Sequence, residues 1–308
     1  WGDSMRRMDV GGDSVTIRPA KGIHITVPWE LVRNDIAVVI PVPGDKRSLF
    51  VVPHMPNGDG TYRYTYVGTT DTDYQGSIDD PQCTPEDIDY CLRALNKAIS
   101  GSGRTLTRDD VVGTWAGLRP LVAAQDGGTA KGRTADLSRR HKVMVSDSGM
   151  VTITGGKLTT YRKMAEHTVD EVLKVLGRRG RCSTKRLDLF GATSRDRNDH
   201  LVSRFGTEAA EIRKLIATDA SLGAPLVPGL PYLRAEAVYS ARHELVVTLD
   251  DVLSRRTRGL LYDRDASARA AREVAQLIAP ELGWDAARVD REVRHFEEVC
   301  NREVAAAR

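Results

Sequence analysis

Apolar and polar positions along the chain follow two different periods. In the first half they alternate with a period of two, as strands do. Val15–Arg18 and Gly22–Val27 read as strands, the second setting Ile23, Ile25 and Val27 against His24 and Thr26. Ile36–Pro41 and Ser48–Pro53 are short apolar β runs with a Gly44-Asp45 turn between them, and His54 follows as a loop residue. Tyr62–Thr69 alternates aromatic with polar residues. The pattern predicts a mostly antiparallel sheet with one covered face. A helix interrupts it. Thr84 is the N-cap, Pro85 takes the first position, and Glu86 and Asp87 fill the first turn. Ile88, Cys91, Leu92, Leu95 and Ile99 form its apolar face before Gly101–Gly103 ends it. Val111–Trp115 is a further strand leading into Ala116–Pro120. Asp126–Gly132 reads as a loop, and Lys142–Val145 with Met150–Thr154 as a hairpin.

The period changes within one short stretch, Val151–Arg162. Val151 and Ile153 alternate with Thr152 and Thr154. Gly155 and Gly156 break the strand. Beyond Leu158 the apolar residues Tyr161, Met164, Ala165, Val169, Val172, Leu173 and Leu176 share a helical face. The unit is therefore strand, Gly-Gly-Lys turn, helix. Paired glycines admit a close neighbour, and the first N–H groups of a helix suit an anion or a polarised carbonyl. Lys157 at that positive end is unfavourable unless something electron-rich faces it. An ordinary tight connection with a solvated lysine fits the local pattern equally well.

Gly177–Lys185 reads as a basic linker. After about Leu187 the strand signals nearly vanish. Asp199–Phe205, Glu208–Ile216, Ala235–Val247, Asp250–Leu261, Ala266–Ile278 and Ala286–Ala305 read as helices. Thr248 with Asp251, and Asp265, look like their caps, and breaks fall at Gly223–Pro231 and Pro280–Gly283. The organisation expected is an α+β region over 1–180 and an all-α domain over 186–308.

Composition narrows the classes. Lys+Arg 45 against Asp+Glu 42 is too balanced to make nucleic acid the main partner. No apolar run approaches the length of a spanning helix, which leaves peripheral membrane contact open. Cys83, Cys91, Cys182 and Cys300 are scattered and form no CxxC, so neither a metal site nor a disulfide framework is expected. The chain lacks GxxxxGK[ST], and no GxGxxG follows a strand and opens a helix. HExxH, GxSxG and a cysteine nucleophile pattern are also absent.

Four polar features lie on or beside strands. His24 sits inside one, which is ordinarily structural, yet imidazole is a natural proton acceptor near neutrality. Thr69-Thr70-Asp71 closes a strand and suits an Asx or Ser/Thr turn. Arg119 lies between Leu118 and Pro120, and Arg139-Arg140-His141 precedes a strand. Two such arginines suit bidentate binding of a phosphate or carboxylate. Taken alone, these residues amount to an α+β domain with an anion-binding corner.

Taken together they resemble the FAD-dependent, membrane-associated glycerol-3-phosphate dehydrogenases. The motifs are KGIHITVP (Lys21–Pro28), VGTTDTDYQG (Val67–Gly76), TWAGLRPL (Thr114–Leu121), SRRHKV (Ser138–Val143) and TGGKLTTYRKMAEH (Thr154–His167), in the family's order. GGKLTTYR is the most specific. The resemblance implies an α+β fold like that of D-amino-acid oxidase. An antiparallel substrate sheet roofs the flavin beside a remnant of the FAD domain, and an all-α C-terminal domain comes after it.

The resemblance also implies roles. Gly155, Gly156, Lys157, Leu158 and Thr159 would face the pyrimidine side of FAD and stabilise the negative charge that develops there. Arg119 and Arg139 match phosphate-binding arginines, with Thr70 also on the substrate side. His24 would take the carbinol proton of sn-glycerol 3-phosphate, aided by Arg119 or Lys157, while hydride leaves for flavin N5 and dihydroxyacetone phosphate forms. Which group is the base is left open. Electrons would pass to a membrane quinone from a peripheral position on the cytoplasmic face of the cell membrane, with a homodimer as one assembly state. The family's N-terminal dinucleotide fingerprint is not in this sequence, and Trp1–Asp3 resembles the segment just after the last strand of that half. The chain therefore reads as a C-terminal portion. Another flavin oxidase of the same fold, or a non-catalytic remnant that binds a partner, are the alternatives.

Overall fold

The structure is a computed structural model that describes residues 1–10, 17–122, 140–193 and 198–307. The chain packs as two compact units. The first comprises Trp1–Ile23, Thr70–Pro81 and Ala116–Asp188, and the second His24–Thr69, Gln82–Trp115 and Leu189–Arg308.

In the first unit, helix α1 (Gly2–Val10) opens the chain. The sequence pattern predicted no helix there, because nine residues with Met5, Met8 and Val10 as their apolar positions are too few to establish a helical period. Tertiary bonds hold it instead. Asp3 accepts from the Ile17 N–H at 3.0 Å, and Asp9 accepts from the Ser146 hydroxyl at 2.6 Å. Strand β1 (Ile17–Pro28) is continuous, where two strands were expected. Its first half belongs to this unit, and Ala20 and Lys21 pair antiparallel with Asp73 and Thr72 of the short strand β5 (Thr72–Asp73). β6 (Gly113–Val122) enters the unit at Ala116 and carries Arg119 and Pro120 inside the strand. The hairpin of β7 (Lys142–Val145) and β8 (Val151–Thr154) forms as expected, Val143 opposite Ile153. α3 (Tyr161–Val175) then runs along it.

The second unit holds the rest of the sheet. β2 (Val38–Pro41), β3 (Ser48–Pro56) and β4 (Tyr62–Gly68) pair antiparallel in sequence order, and β4 pairs with the second half of β1. α2 (Pro85–Ala98) starts on the anticipated Thr84 N-cap, which forms a reciprocal capping box with Asp87. His54 is not a loop residue. It lies within β3, half-buried, with Nε2 2.7 Å from the Tyr262 hydroxyl. Burial and the nearby Arg258 charge push its pKa below the usual histidine value.

The helical region contains α4 (His200–Phe205), α5 (Ala209–Thr218), α6 (Arg234–His243), α7 (Gly259–Tyr262), α8 (Arg264–Leu282) and α9 (Ala286–Ala307). Its apolar core includes the fully buried Leu249, Leu253, Ile278 and Phe296, and Tyr64 of β4 joins it. Glu236 is also fully buried, but it accepts from Leu233 N–H, His200 Nε2 and Arg204 Nε at 2.7–2.9 Å. A buried carboxylate persists only with such partners. The expected single helix over Asp250–Leu261 is instead a π-helical turn, Asp251–Arg256, followed by α7. Thr257 donates to the Val252 carbonyl from both its N–H (3.0 Å) and its hydroxyl (2.8 Å), and Arg258 is left-handed at φ 55°. Asp263 rather than Asp265 caps α8, accepting from Ala266 N–H at 2.8 Å. α8 continues through Pro280 and ends at the left-handed Gly283, φ 63°, so the break expected at Pro280–Gly283 falls at the glycine. No helix among the described residues is long and apolar enough to cross a membrane.

Candidate functional site

The corner where β8 meets α3 requires glycine. Gly155 and Gly156 hold φ values of 73° and 78°, the left-handed region that side chains disfavour. A Cβ on Gly155 would meet the Arg140 carbonyl oxygen at 2.7 Å, and one on Gly156 would meet Met164 Sδ at 2.5 Å and His141 Cβ at 3.1 Å. The chain then extends at Lys157 and makes a 3₁₀ turn over Leu158–Thr160 before α3 begins. The helix therefore starts later than the apolar pattern suggested. Thr160 Oγ1 donates to the Lys157 carbonyl at 3.0 Å, closing the turn. Lys157, Leu158 and Thr159 are all exposed.

Two cavities meet at this corner. One, of about 300 Å³, is lined by Arg119, Pro120, Leu121, Gly155, Gly156 and Lys157. The other, of about 600 Å³, is shared by α1, the start of β1, Leu118–Pro120 and Ile153–Gly155. Arg119 and Gly155 line both. The buried Thr154 Oγ1 has no hydrogen-bond partner among the described residues, and Thr154 lines the larger cavity. A buried hydroxyl without a partner calls for one.

The other expected site residues are more widely distributed. Arg119 projects from β6 and meets Asp71 Oδ1 at 3.5 Å, with its side chain 27% exposed. Thr70 is buried, and its Oγ1 accepts from Ile23 N–H at 3.1 Å, so the Thr-Thr-Asp segment anchors β1 as well as lying near the site. His24 lies in the second unit, where it stacks on Trp115 with ring centroids 4.7 Å apart and planes 5° apart. Arg139 falls outside the described residues, whereas its neighbour Arg140 places its carbonyl against Gly155. Arg119 and the Gly155–Lys157 turn are thus brought together in the first unit.

Sequence reasoning missed several neighbours. Asp71 pairs with Arg119 across non-adjacent segments, and Thr154 opens the glycine-turn motif without having been given a role. His141 Nε2 sits 2.9 Å from His167 Nδ1. At that distance one ring donates a hydrogen bond and the other accepts it, beside Gly156. Both belong to family motifs, but nothing in their spacing signals that they meet.

Comparison with known proteins gives this geometry a family. A family model described as FAD dependent oxidoreductase matches residues 1–162, and one described as the C-terminal domain of alpha-glycerophosphate oxidase matches 149–289. Glycerol-3-phosphate dehydrogenase 2 of Mycobacterium tuberculosis is 34% identical over 315 residues, spanning 96% of this chain and 51% of that protein. Glycerol-3-phosphate dehydrogenase of Mycobacterium leprae is 32% identical over 323 residues, spanning 99% and 52%. The chain thus spans about half the length of the curated relatives it matches. The glycerol-3-phosphate dehydrogenase of Bacillus halodurans, solved with FAD, superposes with a TM-score of 0.81 at 28% identity, over 99% of this chain and 61% of that one. With the FAD dependent oxidoreductase model matching residues 1–162 of 308, this chain belongs to the FAD-dependent oxidoreductase family.

Proposed function

We propose that this chain acts as a FAD-dependent glycerol-3-phosphate dehydrogenase. It oxidises sn-glycerol 3-phosphate to dihydroxyacetone phosphate and delivers the electrons to a membrane quinone. The observation that carries this reading is the shared cavity, in which a guanidinium and a glycine turn line one space. The corner fits a flat cofactor. Two left-handed glycines keep side chains out of it, and Thr154 offers an unpartnered buried hydroxyl nearby. Gly155, Gly156, Lys157, Leu158 and Thr159 are the residues that would hold the flavin.

When bound, FAD supplies the two-electron acceptor that no side chain can provide. The chain's own residues bind and orient the substrate. Arg119 presents a planar fork to the phosphate, and the Asp71 carboxylate keeps that fork from swinging into solvent. Arg139 shares the phosphate and Thr70 lies on the substrate side, both on the strength of the resemblance. His24 takes the carbinol proton, and Lys157 adds positive charge at the cofactor's edge.

The test begins with the purified chain and added FAD. A visible flavin spectrum that survives gel filtration, with glycerol 3-phosphate reducing a soluble quinone analogue faster than oxygen, is the expected result. A colourless chain that FAD cannot restore would leave it a non-catalytic, partner-binding segment. Turnover of amines or hydroxy acids instead would assign another oxidase chemistry. Co-sedimentation with anionic lipid vesicles tests a peripheral position on the cytoplasmic membrane face, and light scattering tests the homodimer.

A further inference from the structure

We propose that Trp115 is the positioning residue for the His24 imidazole, and that Tyr262 of the helical region braces it through a row of aromatic rings. The inference rests on His24 as the proton acceptor. All of these residues lie in the second unit.

Backbone pairing places the His24 main chain opposite Gly68. It does not set the two side-chain torsions of histidine, and a ring that must present one nitrogen to a substrate needs them fixed. Trp115 constrains them. The indole and imidazole are parallel within 5° at 4.7 Å, so one imidazole face is covered and rotation about its last torsion would drive the ring into the indole. The strand carrying Trp115 is anchored just upstream, where Val112 N–H donates to the Thr26 carbonyl at 2.9 Å.

Trp115 is itself held in place. The edge of Tyr66 meets it at 4.9 Å and 77°. Tyr66 stacks on His54 at 4.5 Å, and His54 Nε2 lies 2.7 Å from the hydroxyl of the buried Tyr262. Tyr262, His54, Tyr66 and Trp115 therefore form a continuous row that ends on His24. Five elements contribute to it: α7, β3, β4, β6 and β1. A row serving packing alone would end in apolar contacts, whereas this one ends on a titratable ring of intermediate exposure.

The test uses the full chain with labelled histidines. His24 is assigned by its loss in His24→Asn. In the parent, the indole ring current moves the His24 carbon-bound ring protons upfield. Trp115→Leu returns them to the ordinary histidine position, and Trp115→Phe keeps most of the shift. Circular dichroism checks that both variants stay folded. With FAD and glycerol 3-phosphate, Trp115→Leu lowers kcat by about tenfold at a KM within about twofold, because misplacing a catalytic group costs rate rather than substrate affinity. Trp115→Phe restores most of that rate. Unchanged ring shifts in Trp115→Leu, or equal rates in parent and Leu variant, would overturn the proposal. If His24→Asn leaves kcat intact, His24 is not the proton acceptor and the functional reading fails. The ring shifts then still decide whether Trp115 orders the imidazole.

Discussion

α3 and α8 are both amphipathic helices, yet they differ in what covers them. α8 buries Ala266, Ser267, Ala270, Ala271, Val274, Ala275, Ile278 and Ala279. Its small residues let α6 and α9 approach closely, and its larger ones fill the core. α3 has no buried residue, although it lies along the β7–β8 hairpin. Tyr161 is 51% exposed and Val169 54%. An apolar stripe thus identifies the face that favours burial, while the surface that buries it is a property of the folded chain. The first unit concentrates its special geometry in a glycine turn and a cavity. The second concentrates its apolar burial in the helical core.

The sharpest break between the two is expected from Phe296→Ala. Phe296 is fully buried, and its loss should cost about 3–5 kcal/mol in a chemical-denaturation midpoint. A much smaller loss would mean that the helical core does not carry the stability assigned to it. Next comes Arg119→Ala in the first unit. It should weaken glycerol 3-phosphate binding by about 2–5 kcal/mol, read as a raised KM, while flavin content and melting temperature stay near the parent's. Unchanged kinetics would remove Arg119 from the phosphate site.

Glu303 of α9 gives the second unit a pH signature. Burial holds its carboxyl up at about 8, despite the Arg264 charge and the Thr114 backbone hydrogen bond that favour the ionised form. The folded state therefore retains a proton that the unfolded chain releases near 4.5. The resulting stabilisation is complete below that lower value and is lost as pH rises through about 8. Stability should fall on the order of 5 kcal/mol between acid and alkaline pH, and Glu303→Gln should flatten that slope. A parent whose melting temperature is level from pH 6 to about 9 would contradict it. The smallest effect is expected at α3, where Val169→Ser should change stability by no more than about 0.5 kcal/mol. A loss several times larger would mean that its exposed stripe is covered in solution.

Much of the fold was legible in the residues. Apolar runs and alternation placed β2, β3, β4, β7 and β8, Thr84 as N-cap started α2, and helical periodicity placed most of the helices of the tail. What failed did so for local physical reasons. α1, nine residues long, is too short to establish a helical period and is tied down by Asp3 and Asp9. The π-helical turn at Asp251–Arg256 satisfies its carbonyls through Thr257, which no hydrophobic period encodes.

For the candidate site, the glycine turn could be read directly, because only glycine fits two successive left-handed positions under a neighbouring carbonyl. The five motifs and the family match agree on the FAD-dependent oxidoreductase fold. The sequence alone thus determined where the chain must turn on glycine, at Gly155-Gly156, and which motifs it shares with its family, since backbone conformation and side-chain chemistry are local properties. Only the tertiary structure decided which of them meet. Arg119 meets Asp71 and lines one cavity with Gly155, His141 meets His167, and Trp115 stacks on His24. Such contacts depend on strand pairing and packing across long stretches of chain, and no spacing along the sequence carries them.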